Sequence, residues 1–204
     1  MVASPARRKP YPWLEPAVLA GALVPLAALA VRGMRGALGA NPIAEVLNQL
    51  GLLALVFLVA ALACTPVKLI AGWTWPLRVR RMLGVLAFLY ASLHVATYVG
   101  IDQFFDWEAI TADIRKRPFI FAGFAAFVLL VPLALTSTNA SVRRLGFARW
   151  KLLHRLAYVA PMLAVLHFVW RVKKDVSEPV AYGTVLAVLL AIRLVMVARR
   201  RGAA

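Results

Sequence analysis

Six apolar runs, each close to the twenty or so residues that span a bilayer as a helix, constrain this 204-residue chain more than any other feature. Bounded by charges and turn residues, they fall at about 13–31, 43–65, 82–101, 118–136, 150–170 and 179–198. Hydrophobic residues make up 63% of the chain and the mean hydropathy is +0.80, beyond what a soluble domain carries. The expected fold is all-α, a polytopic bundle of six transmembrane helices over residues 13–198, with short cytoplasmic segments at 1–12 and 199–204. Arg7, Arg8 and Lys9 give the first run the look of a signal peptide, but the apolar stretch is long for one and lacks a convincing cleavage site. It is read as a retained helix. Pro25, Pro132 and Pro161 fall inside spans and are expected to kink them.

The formal net charge of +16 would suggest nucleic acid in a soluble protein, but here position explains it. Sixteen basic residues gather on one side of the six-span arrangement: Arg7, Arg8, Lys9, Lys68, Arg78, Arg80, Arg81, Arg143, Arg144, Arg149, Lys151, Arg155, Arg193, Arg199, Arg200 and Arg201. The other side holds eight, with seven of the eight acids. The positive-inside rule then puts both termini in the cytoplasm. All six tryptophans lie at span ends or in loops, as an interfacial belt requires.

Cys64 stands alone, so an intrachain disulfide and a CxxC redox or zinc pair are excluded. No GxGxxG or P-loop signature occurs, and no loop is long enough for a nucleotide-binding domain. The chain therefore takes no hydride from NAD(P)H through a domain of its own.

Histidines are the ionisable groups that stand out inside the spans, where such groups mark proton relays, ligand sites or metals. His94 lies thirteen residues past Arg81 and His167 sixteen past Lys151, which puts both roughly 20–24 Å from the basic face. Spans three and five run in the same direction, so two imidazoles at one level can supply both axial ligands of a low-spin haem b. The alternative is a buried polar residue bonded across helices. His154 lies about 5 Å from the basic face, beside Trp150, Lys151 and Arg155, and suits either an interfacial residue or a ligand. It cannot share one haem plane with His167, thirteen residues on along the same helix.

Three, seven and ten positions before His94 stand Ala91, Ala87 and Gly84; the same offsets before His167 give Ala164, Ala160 and Ala157. These matching stripes leave room for a flat macrocycle, or pack two helices closely.

The stretches RRMLGVLAFLYASLHVATYVGID (80–102), KRPFIFAGFAAFVLLVPLALTSTNASVRRLG (116–146) and RWKLLHRLAYVAPMLAVLHFVWRVK (149–173) closely resemble one family. It is MsrQ, also called YedZ, the haem-binding membrane subunit of the bacterial protein-methionine-sulfoxide reductase system, within the ferric-reductase-like transmembrane group. Similarity runs from about Asn41 to Arg193.

The resemblance implies an electron-transfer subunit with haem b and flavin mononucleotide (FMN). Such a subunit passes electrons across the inner membrane to a periplasmic molybdopterin-containing partner, which reduces methionine sulfoxide in oxidised envelope proteins. Catalysis would lie in the partner. His94, His154 and His167 correspond to the family's histidines. Related two-haem reductases carry two histidines on each of two helices, whereas thirteen before His94 stands Arg81. One haem is thus the expected count, a second needing another partner for His154.

The quinol pool or a cytoplasmic flavin reductase is the expected donor. The basic loops Arg78/Arg80/Arg81 and Arg143/Arg144/Arg149 would hold a flavin phosphate, receive a reductase, or simply face anionic lipid as topogenic charge. A docking surface for the partner is expected on the loop 102–117, with Asp102, Asp106, Glu108, Asp113, Arg115, Lys116 and Arg117, joined by Arg171, Lys173 and Lys174. Two other functions fit the residues: the quinol-oxidising cytochrome b subunit of another dehydrogenase, and a haem-free transporter or assembly factor.

Overall fold

The structure, a computed structural model, describes residues 11–202, so Arg7, Arg8 and Lys9 lie outside the described residues. Every regular element in it is helical: α1 Leu14–Met34, α2 Pro42–Ala71, α3 Pro76–Thr97, α4 Trp107–Lys116, α5 Pro118–Leu135, α6 Asn139–Leu145, α7 Phe147–Leu153, α8 Leu156–Arg171 and α9 Ser177–Gly202. Six helical stretches are long and apolar enough to cross a membrane: Leu14–Met34, Pro42–Ala71, Pro76–Asp102, Pro118–Leu135, Phe147–Arg171 and Ser177–Arg199. All six expected spans are there, in a polytopic all-helical membrane protein.

The described residues fall into two compact units, one up to Ala37 and one from Leu38 onward. In the first, α1 carries Pro25 without breaking, and the Arg32 side chain donates back to the carbonyl of Ala37 just past the helix end.

In the second unit the sequence sets the helix ends. Pro42, Pro76 and Pro118 open α2, α3 and α5 at the first turn, where a missing N–H costs nothing. Asn41 caps α2 by accepting from the Ala44 amide at 3.1 Å, and Asp106 caps α4 through the Ala109 amide at 2.9 Å. At its far end α2 runs past Pro66 to Gly72, whose left-handed φ of 71° closes the helix. That is six residues beyond the expected limit of 65, because one internal proline removes one hydrogen bond without removing the packing on either side.

The fifth span differs more. It is two helices, α7 and α8, joined by a tight turn at His154 and Arg155, where the amides of Arg155, Ala157 and Tyr158 each bond three residues back. Pro161 has no N–H for the carbonyl of Ala157, which weakens helical order one turn further on. Beyond α3 the chain widens into a π-helical turn, Tyr98–Asp102, then passes Phe104 and Phe105 at φ of 47° and 61° before entering α4.

α2 packs along α3 and α5 along α8, with α3 against α5 and α9 against both α8 and α2, so five helices close a ring. At its centre Leu58, Ala87, Leu130, Leu133 and Ala160 form one buried cluster. Ala87 and Ala160 are fully buried, so the middle of each small-residue stripe serves close packing, through dispersion contacts. Above and below this cluster the ring opens into two cavities.

Candidate functional site

The first cavity has a volume of about 450 Å³ and holds both His94, from α3, and His167, from α8. Their ring centroids are 6.2 Å apart and their planes stand at 82°. Neither ring is free to turn. His94 Nδ1 lies 2.9 Å from the carbonyl oxygen of Leu47 on α2, and His167 Nδ1 lies 2.7 Å from that of Phe119 on α5. A carbonyl only accepts, so in each ring Nδ1 bears the proton and donates it, leaving the Nε2 lone pair bare. Each ring could thereby serve as an Nε2 ligand, since a bond of this kind at the remote nitrogen raises a ligand's basicity and fixes its direction.

Two glycines make these bonds possible. Gly51 and Gly123 each follow the accepting carbonyl by four residues, one turn along the same helix face. A Cβ at Gly51 would sit 3.2 Å from Nδ1 and Cε1 of His94; at Gly123 it would sit 2.8 Å from Nδ1 of His167. The same device is thus built twice, on α2 for α3 and on α5 for α8. Sequence reasoning found the histidines and missed the glycines, whose signal was an isolated glycine inside an apolar span.

The walls between the rings are apolar, with Leu55, Phe124 and Phe127 among them, together with Ala91 and Ala164 from the upper ends of the two stripes. At the mouth stand charges of both signs, Glu45, Asp102 and Glu178 with Arg117 and Arg171. Arg171 donates to the Asn48 side chain, and Arg117 pairs with Asp113 at 3.3 Å while Tyr98 donates to the same carboxylate. The Tyr98 bond ties the π-helical turn to α4, and the Arg171 bond ties α8 to α2.

His154 is elsewhere. Its ring stacks on Trp150 at 4.0 Å and its Nε2 lies 3.1 Å from Thr136 Oγ1. Thr136 spends its hydroxyl proton on the carbonyl of Pro132, at 2.6 Å, so His154 Nε2 is the donor in this pair. The ring lines a second cavity of about 300 Å³ with Arg80, Arg81 and Arg193, and with Gly84 and Ala157 from the lower ends of the stripes. Arg81 bonds Asn139 at 2.9 Å. The structure therefore joins His94 with His167 and leaves His154 apart from both.

Residues 47–165 match the family described as ferric reductase like transmembrane component. Curated relatives cover nearly the whole chain. A protein of Rhodospirillum rubrum is 54% identical over 91% of this chain and 89% of its own length, and one of Deinococcus radiodurans is 50% identical over 95% of each. A third, from Bordetella parapertussis, is 41% identical over the full length of both. Each is named protein-methionine-sulfoxide reductase heme-binding subunit MsrQ. With its paired histidines in a bundle of this kind, the chain belongs to the MsrQ family of the ferric-reductase-like transmembrane proteins.

Proposed function

We propose that this protein is a haem b-binding electron-transfer subunit that carries electrons across the bacterial inner membrane to a periplasmic methionine sulfoxide reductase containing molybdopterin, for repair of oxidised envelope proteins. The observation that carries the reading is the pair of imidazoles with 6.2 Å between ring centroids and both Nδ1 protons committed to backbone carbonyls. Two metal–nitrogen bonds of about 2 Å each, with the short reach from ring centre to Nε2, call for a separation of about 6 Å. The residues fit the group.

Bound there, a haem supplies one-electron redox chemistry. The protein's part is to hold the iron. His94 and His167 would hold the iron through Nε2, and an iron held by two protein nitrogens would pass electrons rather than bind substrate. Apolar walls keep water out, and the arginines at the mouth offer donors to carboxylates. Among three histidines only this pair is mutually placed, so one haem is the count we adopt; His154, bonded to Thr136 and stacked on Trp150, is read as an ordering residue of the second cavity.

Charge asymmetry supports the direction, with the arginine-rich end and both termini cytoplasmic and the imidazole end periplasmic. Quinol or a cytoplasmic flavin reductase would then deliver electrons at the arginine-rich end, with FMN as a second cofactor. The catalytic partner would dock on the outer loops, near Lys173 and Lys174. A reduced-minus-oxidised spectrum of the purified protein tests the reading. Bands of a six-coordinate low-spin haem b are expected; a protein that is purified folded and takes up no haem would overturn it in favour of a haem-free transporter or assembly factor.

A further inference from the structure

One turn past each paired histidine, at the fourth residue along, stands a polar side chain that lines the imidazole cavity: Tyr98 after His94 and Arg171 after His167. The two are committed differently. Tyr98 gives its single hydroxyl proton to Asp113 at 3.3 Å and has no other donor. Arg171, half-buried at the outer end of its membrane-crossing stretch, donates from Nη1 to the Asn48 side chain on α2. Asn48 directly follows Leu47, whose carbonyl accepts from His94 Nδ1 at 2.9 Å. The bond therefore joins the helix that carries one imidazole to the segment that aims the other, and it fixes where the guanidinium sits. Asn48 uses one of its several N–H donors, and the others remain. Arg117, the second cation at the mouth, has its charge spent: its side chain is 57% exposed and pairs with Asp113 at 3.3 Å. Glu45, Asp102 and Glu178 stand at the same mouth, yet among the described residues none is in ion-pair contact with Arg171.

We propose that Arg171, positioned by Asn48, holds a carboxylate of the haem edge at this mouth and thereby raises the haem's reduction potential. The inference rests on the haem reading above and adds which residue meets the charge of the cofactor. Haem b is apolar over most of its area and carries its carboxylates along one edge. The cavity is divided in the same way, with Leu55, Phe124 and Phe127 on its walls and Arg171 at its mouth. A guanidinium fork meets a carboxylate bidentately, as the point charge of a lysine does not. The electrostatic effect has a definite sign. The ferric form carries one positive charge more than the ferrous, so an unneutralised carboxylate favours the ferric form, and a guanidinium set against it favours the ferrous.

The full chain in nanodiscs, reconstituted with haem b or with its dimethyl ester, separates the carboxylates from the rest of the cofactor. Against a scavenging apoprotein the parent should retain haem b about tenfold better than the ester, as a charge-assisted pair implies. In Arg171→Gln that preference should shrink to about twofold, with Arg171→Lys between the two. An arginine with a merely structural role would lower the retention of both compounds alike. Spectropotentiometry gives the second reading: Arg171→Gln should move the haem b midpoint downward, and Asn48→Ala should move it the same way by less. Where Arg171→Gln does not fold, Asn48→Ala carries the test. The inference is overturned if Arg171→Gln, or Asn48→Ala in its place, keeps a low-spin spectrum together with the parent's preference and midpoint. A folded parent that forms no low-spin haem with either compound would overturn the haem reading itself, and this inference with it.

Discussion

The two cavities of the five-helix ring are built from the same walls and solve opposite problems. Leu58 and Leu130 line both, and the two alanine stripes open into one at the top and into the other at the bottom. In the upper cavity each polar ring has its proton donated to a helix carbonyl, and the charges at the mouth include both signs. In the lower one, three guanidinium groups meet neutral partners. The difference lies in what is left over. Above, the surplus is a bare nitrogen lone pair on each of two neighbouring rings, which suits the proposed metal. Below, it is positive charge among neutral partners.

The largest effect should come from removing an upper imidazole. His94→Ala and His167→Ala are each expected to abolish the low-spin haem spectrum, because one imidazole cannot hold six-coordinate iron. His154→Ala, which alters the lower cavity, should keep at least most of the haem. Equal losses in all three variants would erase the contrast between the cavities.

Next come the glycines, which sharpen the comparison within the upper site. Gly→Ala in a helix interior ordinarily stabilises by about 0.5–1 kcal/mol. Here the added Cβ of Gly123→Ala meets His167 Nδ1 at 2.8 Å, tighter than real contacts allow, and Gly51→Ala meets His94 at 3.2 Å. Gly123→Ala should therefore retain haem at least tenfold less well, about 1.4 kcal/mol, and Gly51→Ala should lose less. Haem dissociation to a scavenging apoprotein measures both. A Gly123→Ala protein with unchanged haem retention would mean that the Phe119 carbonyl is dispensable.

These cases show where sequence reading stops. The six spans and the shared level of His94 and His167 were legible because apolar run length and rise per residue are local properties. The acceptors at Leu47 and Phe119 were not, since every helical residue offers a carbonyl and only the packing of α3 on α2 and of α8 on α5 selects two of them. The break at His154 lies within the stretch 150–170 that was read as one span, and α4, α6 and α7 are too short to register by hydropathy. Arg193 was read with the other basic residues of its end; its reach to Leu62 and Tyr158 depends on which helix faces α9.

Orientation bears on the comparison as a whole, because the proposed path has meaning only if the lower cavity faces the cytoplasm. With Cys64 replaced by Ala, a single cysteine placed in 137–149 should resist a membrane-impermeant maleimide in intact cells and react after lysis. Labelling of intact cells would invert the path.

The smallest effect is expected at the outermost edge of the upper site. Lys173 and Lys174 are exposed in the turn between α8 and α9, a few residues past His167, close to where a partner must approach the paired imidazoles. Charges at such a rim act on the rate of encounter more than on the bound complex. Reversing both lysines to Glu should slow electron delivery to the reductase several-fold at low ionic strength. The difference should shrink as salt rises, since the Debye length falls from about 10 Å at 0.1 M to about 3 Å at 1 M. The haem spectrum should be unchanged, because neither lysine lines the cavity. Stopped-flow reoxidation of the reduced subunit by its partner, across a salt series, reads the effect directly. Rates that match the parent at low salt would remove this pair from the docking surface and move the search to the mixed charges of α4, leaving the contrast between the cavities intact.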